Sequence, residues 1–366
     1  MKVARGWAWG TLLAISVGAC TEGQDLGATQ AEGNGMRPGG VVVLTGSGVE
    51  EGDLPGRGTV LYADSERTVE RLKIGDPGQI SPVQLGSDLL VSDSRNVYTI
   101  SAEAVTQETH SMGSEGWAGG YANPAGDAVV LYNTGMAPGA GQYITDVLVV
   151  GHGGSSMKQA EIPYFVTQSG VCDESIWVIG ESADHLSSAV VEISWDTTFK
   201  VAQEEDLDGR ELGETSIVCI NDVPTWLELD TQGRRVLASW NDSAQSVDRQ
   251  LLVNDDLPAG DWPVLGWAGV ADNHMVYLGT DGGIRRVDPA SATVETVDQV
   301  ELDEDSLVLP TMSEAGVAFL VIRQSAGTTD LIRLDESGEI GQVTPIEGLN
   351  EVLDGSGEVP RSILVL

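Results

Sequence analysis

The sequence predicts an all-β chain folded as a β-propeller, with seven four-stranded blades as the first solution and six or eight as its neighbours, on three observations. Short β-branched or aromatic runs bounded by Gly, Asn, Asp and Ser dominate from residue 41 onward, with almost no sustained helical periodicity. The strongest runs recur. Anchored at Val42, Val91, Val130, Trp177, Trp226, Val276 and Phe319, they step by 49, 39, 47, 49, 50 and 43 residues and average about 46, the period of a four-stranded blade. After most anchors a turn and a second strand follow, and a ring of such blades buries both faces of each sheet without long open edges.

Taken in order, residues 1–19, MKVARGWAWGTLLAISVGA, place Lys2 and Arg5 ahead of the apolar run Trp7–Val17 and end in small residues. This is the plan of an export signal, and the run is too short to span a bilayer comfortably. Val17-Gly18-Ala19-Cys20 resembles a bacterial lipobox. The resemblance implies cleavage before Cys20 and acylation of its thiol, so that two or three chains hold the protein persistently on the membrane. An ordinary secretory signal with a chance cysteine is the plainer alternative. Residues 20–40 then read as the lipidated cysteine and a Gly-rich polar tether, and 41–366 as the propeller domain. Thr21 stands where enterobacterial lipoproteins kept at the inner membrane have Asp, which favours an outer membrane if the host has one. The expected address is the cell envelope, outside the cytoplasm.

The domain opens on VVVLT at Val41. DSERTVERLKIG, from Asp64, is the one stretch that also fits a turn or two of amphipathic helix. LLVSD, VVLYN, IWVIG, TWLEL, HMVYLG and VAFLVI follow at the stated period, several leading into hairpins: VSDSRNVYTIS from Val91, LGTDGGIRRVD from Leu278 and IRQSAGTTDLIRLD from Ile322. The terminal run SILVL, Ser362 to Leu366, falls about one period after Phe319 and is placed to pair with the first blade and close the ring. Two β-sandwich domains are the flatter alternative.

Two residue pairs fit the ring better. Cys172 and Cys219 lie one period apart in a chain expected to fold where disulfides persist. A bond between them would stabilise the fold by about 4 kcal/mol through loop closure; two buried free thiols are the alternative. Trp177 and Trp226 also fall at matching places, where large rings pack between blades.

NVYTISAEAVTQE (Asn96–Glu108) and GIRRVDPASATVE (Gly283–Glu295) resemble blades of the bacterial PQQ-like and WD40-like propellers. No blade ends in the tryptophan of PQQ-like repeats, and no Gly-His to Trp-Asp spacing occurs, so no quinone or other cofactor is expected.

The formal net charge is −37; removing Lys2 and Arg5 with the signal leaves 17 basic residues against 56 acidic ones. Such a chain repels nucleic acid and anionic headgroups. Only four lysines occur, so missing lysine contributes to the balance along with added carboxylate.

Motifs for chemistry are sparse. His110, His152, His185 and His274 form no HExxH or i, i+4 pair. GHGGSS from Gly151 has the look of an esterase oxyanion loop, but no G-x-S-x-G supplies a nucleophile. Ser155 and Lys158 match S-x-x-K in a glycine-rich setting without K-T-G. No P-loop or sialidase Asp-box is present. Glu204, Asp206 and Asp208 alternate before Gly209 as in a calcium loop, with Thr215 at the twelfth position where a bidentate Glu belongs and Glu214 beside it. The cluster Glu301, Asp303, Glu304 and Asp305 has no glycine turn. No catalytic residue is assigned.

Three functions compete: a non-enzymatic, lipid-anchored scaffold or binding module for another envelope protein; a glycan hydrolase or lyase with carboxylates meeting at the central channel; and a small-ligand or calcium sensor.

Overall fold

The computed structural model describes residues 39–47, 57–77, 81–93, 95–101, 104–109, 119–123, 126–136, 143–151, 157–182, 187–206, 215–253, 257, 262–313 and 316–366. The expected signal, Cys20 and nearly all of the tether lie outside them.

The strands form seven antiparallel four-stranded sheets, the blades of a seven-bladed propeller. Blade 1 takes β1 (Val41–Ser47), β2 (Arg57–Ala63) and β3 (Thr68–Gly75). Blade 2 is β4 (Val83–Leu85), β5 (Asp88–Ser92), β6 (Asn96–Ile100) and β7 (Val105–Thr109); blade 3 is β8 (Gly120–Ala122), β9 (Ala128–Met136), β10 (Tyr143–Val150) and β11 (Met157–Ile162). Blade 4 comprises β12 (Phe165–Cys172), β13 (Ser175–Glu181), β14 (Ser187–Ser194) and β15 (Phe199–Asp206); blade 5 comprises β16 (Val218–Ile220), β17 (Val223–Leu229), β18 (Arg235–Asn241) and β19 (Ser246–Leu251). Blade 6 holds β20 (Gly269–Ala271), β21 (His274–Leu278), β22 (Gly283–Asp288) and β23 (Thr293–Gln299), and blade 7 holds β24 (Ser306–Ser313), β25 (Gly316–Arg323), β26 (Thr328–Leu334) and β27 (Ile340–Pro345).

The last strand, β28 (Glu358–Val365), returns to blade 1 and pairs antiparallel with β1, Val43 opposite Ile363 and Val42 opposite Leu364. SILVL thus closes the ring. Gly39 N–H donates to Leu366 O at 2.7 Å and Leu366 N–H to Gly40 O at 3.0 Å, fastening the two ends of the domain together.

Period-two alternation builds the core. Val42 and Leu44 pack with Leu89 and Val91 of blade 2, whereas Val41 and Val43, one residue out of phase, pack with Leu320 and Ile322 of blade 7. In β9, Val130 and Tyr132 face blade 2 while Val129 and Leu131 face blade 4. Each of the seven blade interfaces carries its own apolar cluster, the arrangement expected when opposite faces of one strand serve different neighbours.

Two local features differ from the sequence reading. DSERTVERLKIG supplies β3, an outermost strand, and Arg71 lies 5.3 Å over the Tyr62 ring; the half-exposed position blurs its alternation. One helix, α1 (Leu349–Ser356), sits between Gly348 and Gly357, which have φ of 74° and 69°, and buries Leu349 and Leu353 against the interface of blades 7 and 1. Among the described residues no helix is long and apolar enough to cross a membrane.

Candidate functional site

Antiparallel topology sorts the connections onto two faces. Links from the first to the second strand and from the third to the fourth lie on one face; links from the second to the third strand, and from blade to blade, lie on the other. The first face carries tight turns, such as Asn221-Asp222 and Asp272-Asn273, in which both residues have positive φ as type I′ hairpins require. The second carries the long links, including 48–56, 110–119, 207–217, 252–268 and 346–357. We call these the turn face and the loop face.

The innermost strands β28, β4, β8, β12, β16, β20 and β24 surround a central channel, a cavity of about 1310 Å³ with lining residues from all seven. Its wall is stitched from blade 3 to blade 6. Tyr121 O–H donates to Ser169 Oγ at 2.6 Å, and Ile217 N–H donates to Ser169 O at 3.1 Å. The backbones come so close that a Cβ on Gly170 would stand 1.8 Å from Ile217 O. Cys172 and Cys219 are disulfide-bonded, their Cα atoms 4.7 Å apart, joining the innermost strands of blades 4 and 5 near the turn face. Behind them Trp177 and Trp226 pack in one cluster, with the Trp240 ring 5.6 Å from that of Trp177. Ser216 Oγ both donates to Ala268 O and accepts from Ala268 N–H, each at 3.0 Å, tying blade 5 to blade 6.

Charge is scarce in this wall. Glu304, Asp305 and Arg361 are the charged residues among its described lining, beside neutral groups such as Gln84, Asn123 and Ser306. Hydrogen bonds from the Ser325 hydroxyl and, at 2.8 Å, its N–H hold the Asp305 carboxyl below the usual range. Asp281, Asp288, Asp335 and Glu358 also shift downward. Arg361 sits beside Asp76: a Cβ on Gly46 would lie 2.8 Å from Asp76 Oδ1 and 3.0 Å from Arg361 Nε. Leu265 and Met312, by contrast, line the cavity with relative exposures of 63% and 50%.

The sequence candidates fall elsewhere. Glu204 and Asp206 belong to β15, on the outside of blade 4, so the calcium-like segment starts as strand and not as loop. Ser187 O–H donates to Glu204 Oε1 at 3.1 Å. Thr215 is fully buried and accepts from Leu227 N–H at 2.9 Å. Asp208, Ser155, His110, His152 and His185 lie outside the described residues, among which no group of three or more acidic, His or Cys side chains is placed to hold a metal. Lys158 is on strand β11, and His274 begins β21, its Nδ1 2.7 Å from Asp272 O. Sequence reasoning did not single out Leu265, Trp267 or Met312. The apolar pair Leu265 and Trp267 in WPVLGWAG, inside a long blade-to-blade link, was the available signal.

The profile of a family described as "YycP, beta-propeller domain" matches residues 49–221, somewhat less than half of the chain. No curated protein matches. Among solved structures, AztD of Citrobacter koseri is 11% identical, covering 83% of this chain and 81% of its own, with a TM-score of 0.47. A mutant of the apocarotenoid oxygenase of Synechocystis is 10% identical, with coverages of 86% and 91% and a TM-score of 0.48. A Lactobacillus plantarum protein is 10% identical, with coverages of 84% and 96% and a TM-score of 0.49.

Proposed function

We propose that this protein is a non-enzymatic binding module of the cell envelope, anchored through a lipid on Cys20, that presents its loop face and channel mouth to another envelope protein. The observation that carries this reading is the division of labour between the two faces. The strand ends joined by the long links, the elements most often used for recognition, lie on one face, while tight hairpins such as Asn221-Asp222 and Asp272-Asn273 lie on the other. Gly39 and Leu366 are hydrogen-bonded to each other on the turn face, opposite the face of the long links.

The test uses a tag after Leu366, which extends from the turn face. The tagged chain and its Cys20→Ala variant are crosslinked in native membranes and purified, and associated proteins are identified by mass spectrometry. Membrane retention and a stoichiometric partner for the wild type, with release of the variant into the soluble fraction, is the expected result. Two soluble, folded forms without a reproducible partner would overturn both anchor and scaffold.

A further inference from the structure

We infer that the loop-face mouth of the channel takes an extended peptide segment of the partner, with an apolar side chain seated on Leu265 and an adjoining Lys or Arg near Glu304. This rests on the binding-module reading and names the chemistry of its partner.

Leu265 has φ 55° and ψ 22°. The other described non-glycine residues with positive φ, among them Asp173, Asn221, Asp272 and Ala292, lie in turns of the turn face. Leu265 is the exception on the loop face, and a side chain branched at Cγ in this left-handed region costs about 1–2 kcal/mol. The conformation persists because neighbours impose it. Ser216 N–H donates to Gly266 O at 2.8 Å and Thr280 N–H to Trp262 O at 3.0 Å, while Arg235 lies 4.7 Å from the Trp262 ring centroid. Blades 5 and 6 together therefore hold an apolar side chain out at the channel mouth, against both its conformational preference and its hydrophobicity.

The wall below continues that surface. Trp267, braced at 5.8 Å on Phe319, Val270 and Met312 line one side, and Gln84 and Asn123 supply neutral amides on the other. Each innermost strand is the end member of its sheet, so its second edge faces the channel, the feature to which an extended chain can add by main-chain hydrogen bonds. The cavity of about 1310 Å³ exceeds the roughly 300–1,000 Å³ of small-molecule sites, which favours a chain segment over a small ligand. Charge selects its flank. Glu304 and Asp305 stand in the turn at the loop-face end of β24, and Arg361, the other charged residue of the described lining, sits beside Asp76. A basic residue is attracted there and an acidic one repelled.

The experiment pans a displayed library of random short peptides on the full chain solubilised from membranes, then measures fluorescence anisotropy of the selected peptides with wild type, Leu265→Asn, Glu304→Gln and Val343→Asn. Asn tolerates the left-handed region, so Leu265→Asn should keep or raise Tm. Val343 is an exposed control on β27, an outermost strand. Enrichment of an apolar residue next to Lys or Arg is expected, with affinity falling about tenfold or more in Leu265→Asn, a smaller loss in Glu304→Gln and none in Val343→Asn. Selected peptides that bind folded Leu265→Asn within about twofold of wild type, or no enrichment, would overturn the inference. So would a copurifying small molecule in the native mass spectrum, or a dimer that Leu265→Asn dissolves. A crosslinked partner retained by Leu265→Asn would sink this inference and leave the scaffold standing; no partner with any form would sink the scaffold itself.

Discussion

Replacing Cys172 and Cys219 together by alanine isolates what the inter-blade disulfide contributes. The bond closes a loop of sequence separation 47 that contains three strands of blade 4 and the link into blade 5. Loop-closure entropy assigns such a crosslink about 4 kcal/mol at 25 °C. The compact unit spans Gly35–Leu366, and at about 2.1 cal/mol/K per residue its unfolding entropy near Tm is roughly 0.7 kcal/mol/K. The quotient is a fall in Tm of about 6 °C. Cys172 is 1% exposed among Trp177, Ile179 and Trp226, so loss of its sulfur from the packed interface adds to that figure.

Differential scanning calorimetry of wild type, both single variants and the double variant reads the effect. Either single change already abolishes the crosslink, so the three variants should fall together. A folded double variant whose Tm stays within about 2 °C of wild type would refute the reasoning, because it would mean that the unfolded chain gains little freedom when the bond is removed. Single variants that drop much less than the double would instead show that packing, not crosslinking, carries the change.

Gly170→Ala should prevent normal assembly of blades 4 and 5, since its Cβ would stand 1.8 Å from Ile217 O in a wall that backbone hydrogen bonds hold; far-UV circular dichroism and Tm check it, and a wild-type Tm would contradict the close approach. Arg249→Met should cost about 3 kcal/mol or more in urea unfolding, because Arg249 bridges Glu205 of blade 4 and the buried Glu228 of blade 5 and its loss strands the latter. Acid should weaken the ring closure. Burial pushes the Glu358 carboxyl up, but hydrogen bonds from Thr45 and Thr59 and the charge of Lys73 outweigh it, so its folded pKa lies below the ordinary glutamate value. The unfolded chain therefore takes up the proton first, and the stabilisation present at neutral pH is lost as pH falls through the folded pKa. Glu358→Gln should lower Tm at pH 7 and flatten its decline between about pH 5 and pH 3; identical acid slopes for the two proteins would count against this account.

Legibility tracked burial. All seven anchors chosen from the sequence turn out to be second strands, β1, β5, β9, β13, β17, β21 and β25, because a second strand is covered on both faces by neighbouring blades and reads as a continuous apolar run. Four of the seven innermost strands, β4, β8, β16 and β20, are three residues long and give no periodic signal. A central channel followed from the ring, but the lining these strands supply was for that reason not legible, nor was Leu265, whose significance depends on a φ angle. The eight residues of α1 escaped notice because Leu349 and Leu353 make one i, i+4 pair, too little to register a helical period.

The acidic composition also acquires a cause that charge counting could not supply. Asp196, Asn241, Asp288 and Asp335 recur at steps of 45, 47 and 47 residues, each accepting a backbone N–H inside the turn between the third and fourth strands of its blade. Asp64 caps the same turn in blade 1, with bonds of 2.8 and 3.0 Å from Glu66 and Arg67. On the loop face Asp93, Asp230 and Asp281 do likewise between second and third strands. A short side-chain acceptor that competes for turn N–H groups is what these hairpins need, so a repeat architecture multiplies aspartate with blade number whatever the protein binds. Net charge is therefore a poor guide to the partner. The lining of the channel, nearly neutral and apolar around Leu265 and Met312 with its acidic groups confined to one mouth, is the better one, because the Leu265 and Met312 side chains carry no strong acceptor for a turn N–H.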